Sequence, residues 1–160
     1  MSIHRVPMTV EGAQTLKQEL KKLIDVDRPN IAQAISAARE LGDLKENAEY
    51  HAAKEQQGLM EARISFIQDQ MKNAQVIDIS TITNEGKVLF GTTVELENID
   101  DGKIMRVKFV GELEADIKLG KMSITAPIAR ACVGKTVDEI VEVETPSGIV
   151  CYEIKSVEYI

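Results

Sequence analysis

Two apolar stripes with helical spacing, on helices separated only by a glycine, constrain this chain more than any other feature. In the first, Leu16, Leu20, Leu23, Ile31, Ile35, Ala38 and Leu41 recur at three- and four-residue steps, with one step passing through Asp27. Thr9 is placed to cap this helix and Val10 to open its first turn, while Gly12 is an imperfect occupant of the capping box's third position. Pro29 removes a backbone donor, so a kink or local bulge is expected near it rather than a break. Gly42 ends the helix in the usual C-terminal manner. The second stripe places Met60, Ile64, Ile67, Met71 and Ala74 at alternating four and three, predicting a helix from Asp43 to about Ala74. Helices joined by so short a turn lie antiparallel and bury their stripes against each other as a coiled coil. At 1.5 Å per residue each would be about 48 Å long, where an ordinary globular helix has about 11–12 residues. A second domain of the size that remains cannot cover such a rod, so the hairpin is expected to project. Its tip is ARELGDLKENAEYHAAKE, residues 37–54.

After NAQVIDIS the period changes. GTTVELEN, KIMRVKFV, KMSITA, DEIVEVE and GIVCYEIKSVEYI alternate or run apolar and are rich in Val, Ile and Thr, as strands are. NIDDGK and TPSG read as hairpin turns. PIARACVG reads as a short helix with Pro127 in its first turn and Gly134 at its end. The fold class is therefore α+β. Residues 1–79 form a long antiparallel helical hairpin, 80–86 (STITNEG) a linker, and 87–160 an antiparallel β domain with one short helix.

Composition narrows the function. A hydrophobic share of 44% supports a core, which must be aliphatic because the chain has three Phe, three Tyr and no Trp. No apolar run approaches the roughly 18 residues of a membrane helix. MSIHRVPMTVEG lacks the apolar stretch of a secretion signal, and a cytoplasmic protein is expected. Cys132 and Cys151 have no CxxC partner and read as buried reduced thiols. His4 and His51 form neither a ligand pair nor a nucleophile–base arrangement, and His51 reads as a surface residue. The net charge of −7 divides unevenly, with 10 basic and 11 acidic residues in 1–77 but 9 and 15 in 78–160. Binding nucleic acid unaided usually needs an excess of Lys and Arg that releases counterions, and this chain has none. A partner protein would have to bring it to nucleic acid.

The chemistry is at the tip. Asp43-Leu-Lys-Glu46 fits a capping box, Asp43 accepting from the backbone three residues on and Glu46 reaching back. The same spacing on a helix would present two carboxylates on one face, about 5–6 Å apart at Cβ. Such a pair suits a hard divalent cation, yet Mg²⁺ wants six oxygens and commonly takes one or two carboxylates plus phosphates and waters. No metal is expected in the free protein. Delivered into another enzyme's active centre, the two acids could complete a second metal position and help activate water against a phosphodiester.

ARELGDLKENAEYHAAKEQQG, NAQVIDIS, FGTTVELEN, SITAPIARACVGK and EIKSVEYI, in this order and spacing, resemble the GreA/GreB family of bacterial transcript cleavage factors. The resemblance runs from VPMTVEGAQTLKQEL to Ile160. It implies an N-terminal coiled coil, an FKBP-like C-terminal domain, and RNA polymerase as the partner, with the coiled coil entering the secondary channel. Backtracked nascent RNA would be cut by the polymerase's own centre, stimulated by a factor that is not itself an enzyme. On this resemblance Asp43 and Glu46 hold a Mg²⁺ shared with the polymerase and position the attacking water. The same resemblance makes Tyr50 a candidate contact for the RNA 3′ end, the alternative being a tyrosine packed on the hairpin surface. It makes Arg39, Lys45, Lys54 and Arg63 candidates for a small basic patch toward the RNA, the alternative being solvated surface charges. Pro127, Ile128 and Arg130 fall in the segment that docks on the polymerase rim. GDLKENAEY is intact, unlike in relatives whose altered tips make them inhibitors, and the acidic total fits the less basic branch of the family.

Three rival functions follow from the same residues. A prolyl isomerase would need an apolar, commonly aromatic-lined pocket, and the second half offers only Phe90, Phe109, Tyr152 and Tyr159. A non-catalytic interaction module or holdase would use the hairpin as a surface and the acids only as caps. A free-standing nuclease lacks enough metal ligands.

Overall fold

The computed structural model describes residues 5–160, so His4 lies outside the described residues. The chain divides into two compact units, one built on Ala13–Ala74 and the other on Arg5–Gly12 together with Gln75–Ile160.

The first unit is the helical hairpin. Its ascending arm comprises α1 (Val10–Lys22), a π-helical turn at Leu23–Asp27, and α2 (Arg28–Arg39). Pro29 directly follows the π-helical turn, in which the Arg28 N–H reaches back to the Leu23 carbonyl, and this turn is the expected bulge. The descending arm is α3 (Ala48–Lys72), 25 residues long. Leu16, Ile35 and Ala38 on one arm and Ala53, Met60, Ile64 and Ile67 on the other are buried, at the spacing of a packed helical seam. Two bidentate ion pairs bridge the arms across exposed flanks. Arg28 reaches Glu61 through bonds of 2.9 and 2.9 Å, and Arg63 reaches Glu19 through bonds of 2.8 and 3.0 Å.

Three expectations about the hairpin need correction. The second helix starts at Ala48 rather than Asp43, because Asn47 and not Asp43 caps it. Leu41 is 66% exposed rather than in the seam, since the helix has already turned away at Glu40. Ala74 leaves the helix and opens a strand.

The second unit holds two sheets. A strand without a sequence signal, β1 (Val6–Thr9), pairs with β2 (Ala74–Ile77). Five further strands follow: β3 (Thr93–Asn98), β4 (Ile104–Val110), β5 (Lys121–Ser123), β6 (Ile140–Thr145) and β7 (Gly148–Glu158). They form one curled sheet in the order β5-β4-β3-β7-β6. All its pairings are antiparallel except β5, which runs parallel to β4. The helix α4 (Pro127–Cys132) packs over the sheet, with Ala129 and Cys132 fully buried among Val88, Val94, Leu96, Phe109 and Ile154. Burial pushes the Cys132 thiol up to about 11 and so keeps it unreactive. Residues 80–86 are tied to this unit. The Asn84 amide donates to the Val157 carbonyl at 2.9 Å, and the Val137 N–H donates to the Gly86 carbonyl at 3.0 Å.

The cap on α1 is completed from a distance. The Thr9 hydroxyl accepts from the Gly12 N–H at 3.0 Å, as an N-cap should. The carboxylate that a capping box expects at Gly12 comes instead from Glu114. It accepts from the Thr9 N–H at 3.0 Å, from the Thr9 hydroxyl, and from the Gly111 N–H at 2.9 Å.

Candidate functional site at the hairpin tip

The tip begins where α2 runs out of intrahelical partners. Leu41 N–H turns back to the Ala38 carbonyl at 3.1 Å, and Gly42 takes a left-handed φ of +119°, which favours glycine. Asp43 then folds the chain locally, its Oδ1 accepting the Lys45 N–H at 3.0 Å in an Asx turn. Asn47 does two jobs. Its side-chain oxygen accepts the Tyr50 N–H at 3.1 Å and caps α3. Its amide donates across the tip to the Ala38 carbonyl at 2.6 Å, a second donor to an oxygen that already accepts from Leu41 at the end of α2. One side chain thus joins both arms.

The expected capping box is therefore absent. Neither Asp43 nor Glu46 caps α3, and both lie exposed in the seven-residue segment 40–46 between α2 and Asn47 rather than on a helical turn. The helical spacing argument for the two carboxylates does not apply to them. Among the described residues the Glu46 carboxylate has no hydrogen bond or ion pair, whereas Asp43 spends one oxygen on the turn. Glu49 lies in the first turn of α3, where the helix dipole favours an acid.

Of the basic and aromatic candidates, the fold brings Arg39 and Tyr50 together. The Arg39 guanidinium lies 5.8 Å from the centre of the Tyr50 ring, joining the end of α2 to the start of α3. Lys45 is exposed within the acidic loop itself. Lys54 lies one turn beyond Tyr50 and donates to Gln57 at 3.0 Å. Arg63 is not at the tip. It stands 13 residues after Tyr50 in α3, about 20 Å along the axis, and is engaged with Glu19. A groove of about 580 Å³ beside the tip is lined by Ala34, Ala38, Leu41, Ala52, Ala53 and Glu49 among others.

Sequence reasoning missed Asn47 and gave His51 no role. Asn47 immediately before AEYHAAKE is itself a cap signal, but Asp43 directly after Gly42 masked it. His51 donates through Nε2 to the Lys45 carbonyl at 3.0 Å, which fixes its tautomer, and its ring meets Tyr50 edge-on at 5.5 Å.

The other candidates belong to the second unit. Pro127 and Arg130 are exposed one helical turn apart on α4, while Ile128 is half-buried against the sheet core.

The donor set at the tip consists of hard carboxylate oxygens. Among the described residues no three His, Cys, Asp or Glu side chains group into a metal site. No described helix is long and apolar enough to cross a membrane.

The family model for the transcription elongation factor N-terminal domain matches residues 6–76, and that for the GreA/GreB C-terminal domain matches residues 83–159. The chain belongs to the GreA/GreB family of transcription elongation factors. The transcription elongation factor GreA of Pseudomonas aeruginosa is 56% identical over 98% of this chain and 99% of its own length. GreA of Legionella pneumophila is also 56% identical, over 100% of this chain and 99% of its own. Among solved structures, the GreA factor homolog 1 protein of Thermus thermophilus is 25% identical over 97% of this chain and 99% of that one, at a TM-score of 0.41. Family membership covers both units, so tip and sheet unit belong to one factor.

Proposed function

We propose that this elongation factor binds RNA polymerase, inserts its hairpin into the secondary channel and stimulates the polymerase's own cleavage of backtracked nascent RNA. The observation that carries this reading is the division of labour at the tip. Asn47 caps α3 and ties the arms, so the Glu46 carboxylate is left exposed and unpaired with no structural duty. The acidic pair would hold a Mg²⁺ ion shared with the polymerase, a fit supported by their two exposed hard carboxylate donors. When bound there, such an ion lowers the pKa of a coordinated water for attack on a phosphodiester. This chain's own part is to carry Asp43 and Glu46 to that place and hold them in it. Tyr50, fixed between Arg39 and His51, offers a ring face for a nucleobase at the RNA 3′ end, with Lys45 and Lys54 beside the backbone. Pro127 and Arg130, exposed on α4, are the docking residues proposed for the polymerase rim.

The test is the pair Asp43→Asn and Glu46→Gln. Asn keeps the oxygen that accepts from Lys45, so the melting temperature should stay within a degree or so of wild type. Shortening of transcripts in backtracked complexes with Mg²⁺ should drop on the order of 100-fold, the usual cost of removing a preorganised electrostatic group. Unchanged cleavage by the double variant would overturn the reading.

A further inference from the structure

We infer that His51 is a positioning residue for the acidic loop, acting as a strut between the first turn of α3 and the backbone next to Glu46. The inference rests on the function proposed above. The loop that carries Asp43 and Glu46 has few restraints of its own: Gly42 at its start is in a conformation that only glycine adopts freely, and Asp43 bonds only two residues ahead. Asn47 secures the far end. Between these anchors, among the described residues, the one side-chain bond from α3 into the loop is His51 Nε2–H to the Lys45 carbonyl, at 3.0 Å. That carbonyl belongs to the peptide joining Lys45 to Glu46, so the bond fixes the plane from which the Glu46 side chain departs.

The strut is itself held. The His51 N–H donates to the Asn47 carbonyl at 3.1 Å, its ring lies edge-on to Tyr50 at 5.5 Å, and Tyr50 lies against Arg39 on the other arm. A carboxylate displaced by about 1 Å in a catalytic constellation can cost on the order of 100-fold in rate. An exposed imidazole that restrains such a carboxylate therefore has a role that burial alone would not reveal.

The experiment compares His51→Phe, which keeps a ring beside Tyr50 but cannot donate, with His51→Gln, whose amide nitrogen can occupy the Nε2 position. In the free protein, amide order parameters at Lys45 and Glu46 should fall in H51F, from about 0.85 toward about 0.6, and recover in H51Q. With backtracked complexes, H51F should lower the cleavage rate at saturating factor by about 10-fold or more, leaving the half-saturating factor concentration unchanged, and H51Q should restore the rate. Wild-type loop order and wild-type saturating rate in H51F would overturn the inference. Loss of both in a folded H51Q would overturn it too, since the donor would then not be what matters. Asp43→Asn/Glu46→Gln run alongside separates the two readings. If that double variant still cleaves, the proposed function fails; if it is inactive while H51F matches wild type, only the strut fails.

Discussion

At the scale of single residues, two glycines on helices show why one sequence letter carries opposite weights. A Cβ at Gly12 would overlap the Glu114 side chain, which occupies the space to accept from Thr9 and Gly111. Gly58, exposed within α3, has nothing within 4 Å of where its Cβ would stand. Gly12→Ala should therefore destabilise by about 1–3 kcal/mol through overpacking. Gly58→Ala should stabilise by about 0.5–1 kcal/mol, because alanine has the higher helix propensity. Urea melts of the two variants check both signs. Glu114→Ala would leave the Thr9 and Gly111 N–H groups without their acceptor, at about 1–3 kcal/mol for each donor that stays buried. The Thr9 cap was legible because its partner is three residues away. The role of Glu114 was not, since a bond spanning 105 residues leaves no local pattern.

At the scale of elements, the hairpin was the most legible part of the chain, because a periodic seam repeats its signal at every turn. Ile35, Ala38, Met60, Ile64 and Ile67 were all placed correctly from spacing. The signal fails at the tip, where the helix end is decided by competing caps: Asp43 and Asn47 are both good N-cap residues, and the second is also tied to the other arm by its bond to Ala38, which no local pattern shows. The flanks make a further prediction. Hydrogen bonding to Arg63 holds the Glu19 carboxyl below its ordinary value of 4.5, and hydrogen bonding to Arg28 does the same for Glu61. A carboxylate with a depressed folded pKa contributes stability that is complete above the unfolded value and disappears as pH falls through the folded one. Glu19→Gln/Glu61→Gln should thus melt below wild type at neutral pH. The gap should close as pH falls below 4.5, and also in high salt, because both pairs are exposed. Thermal melts of both proteins across pH, followed at a helix signal, measure it. A gap that persists in strong acid would assign the effect to packing of the side-chain stems instead.

At the scale of the whole molecule, the order of the sequence and the grouping in space part company at the N-terminus. Residues Arg5–Gly12 run into the first residues of the hairpin's ascending arm yet cluster with the unit that follows it. Val6–Thr9 holds a proline and is too short to show alternation, so nothing local marks it as a strand. Its pairing with β2 brings together the two ends of the hairpin sequence, which only closure of the whole chain can reveal. Met8 is the side chain that makes this pairing matter. It is 1% exposed, among the largest fully buried side chains of the protein, and it belongs to the second unit. Met8→Ala should accordingly cost about 2–5 kcal/mol, the usual range for emptying a buried methionine site. The loss should fall on the sheet unit. Amide exchange should accelerate in β4, which β1 lies beside, while the Ile64 and Ile67 amides in the hairpin seam keep their protection. If those hairpin amides accelerate equally, Arg5–Gly12 does not fold with the sheet unit alone. The energetic boundary would then have to be drawn around the whole chain rather than between Gly12 and Ala13.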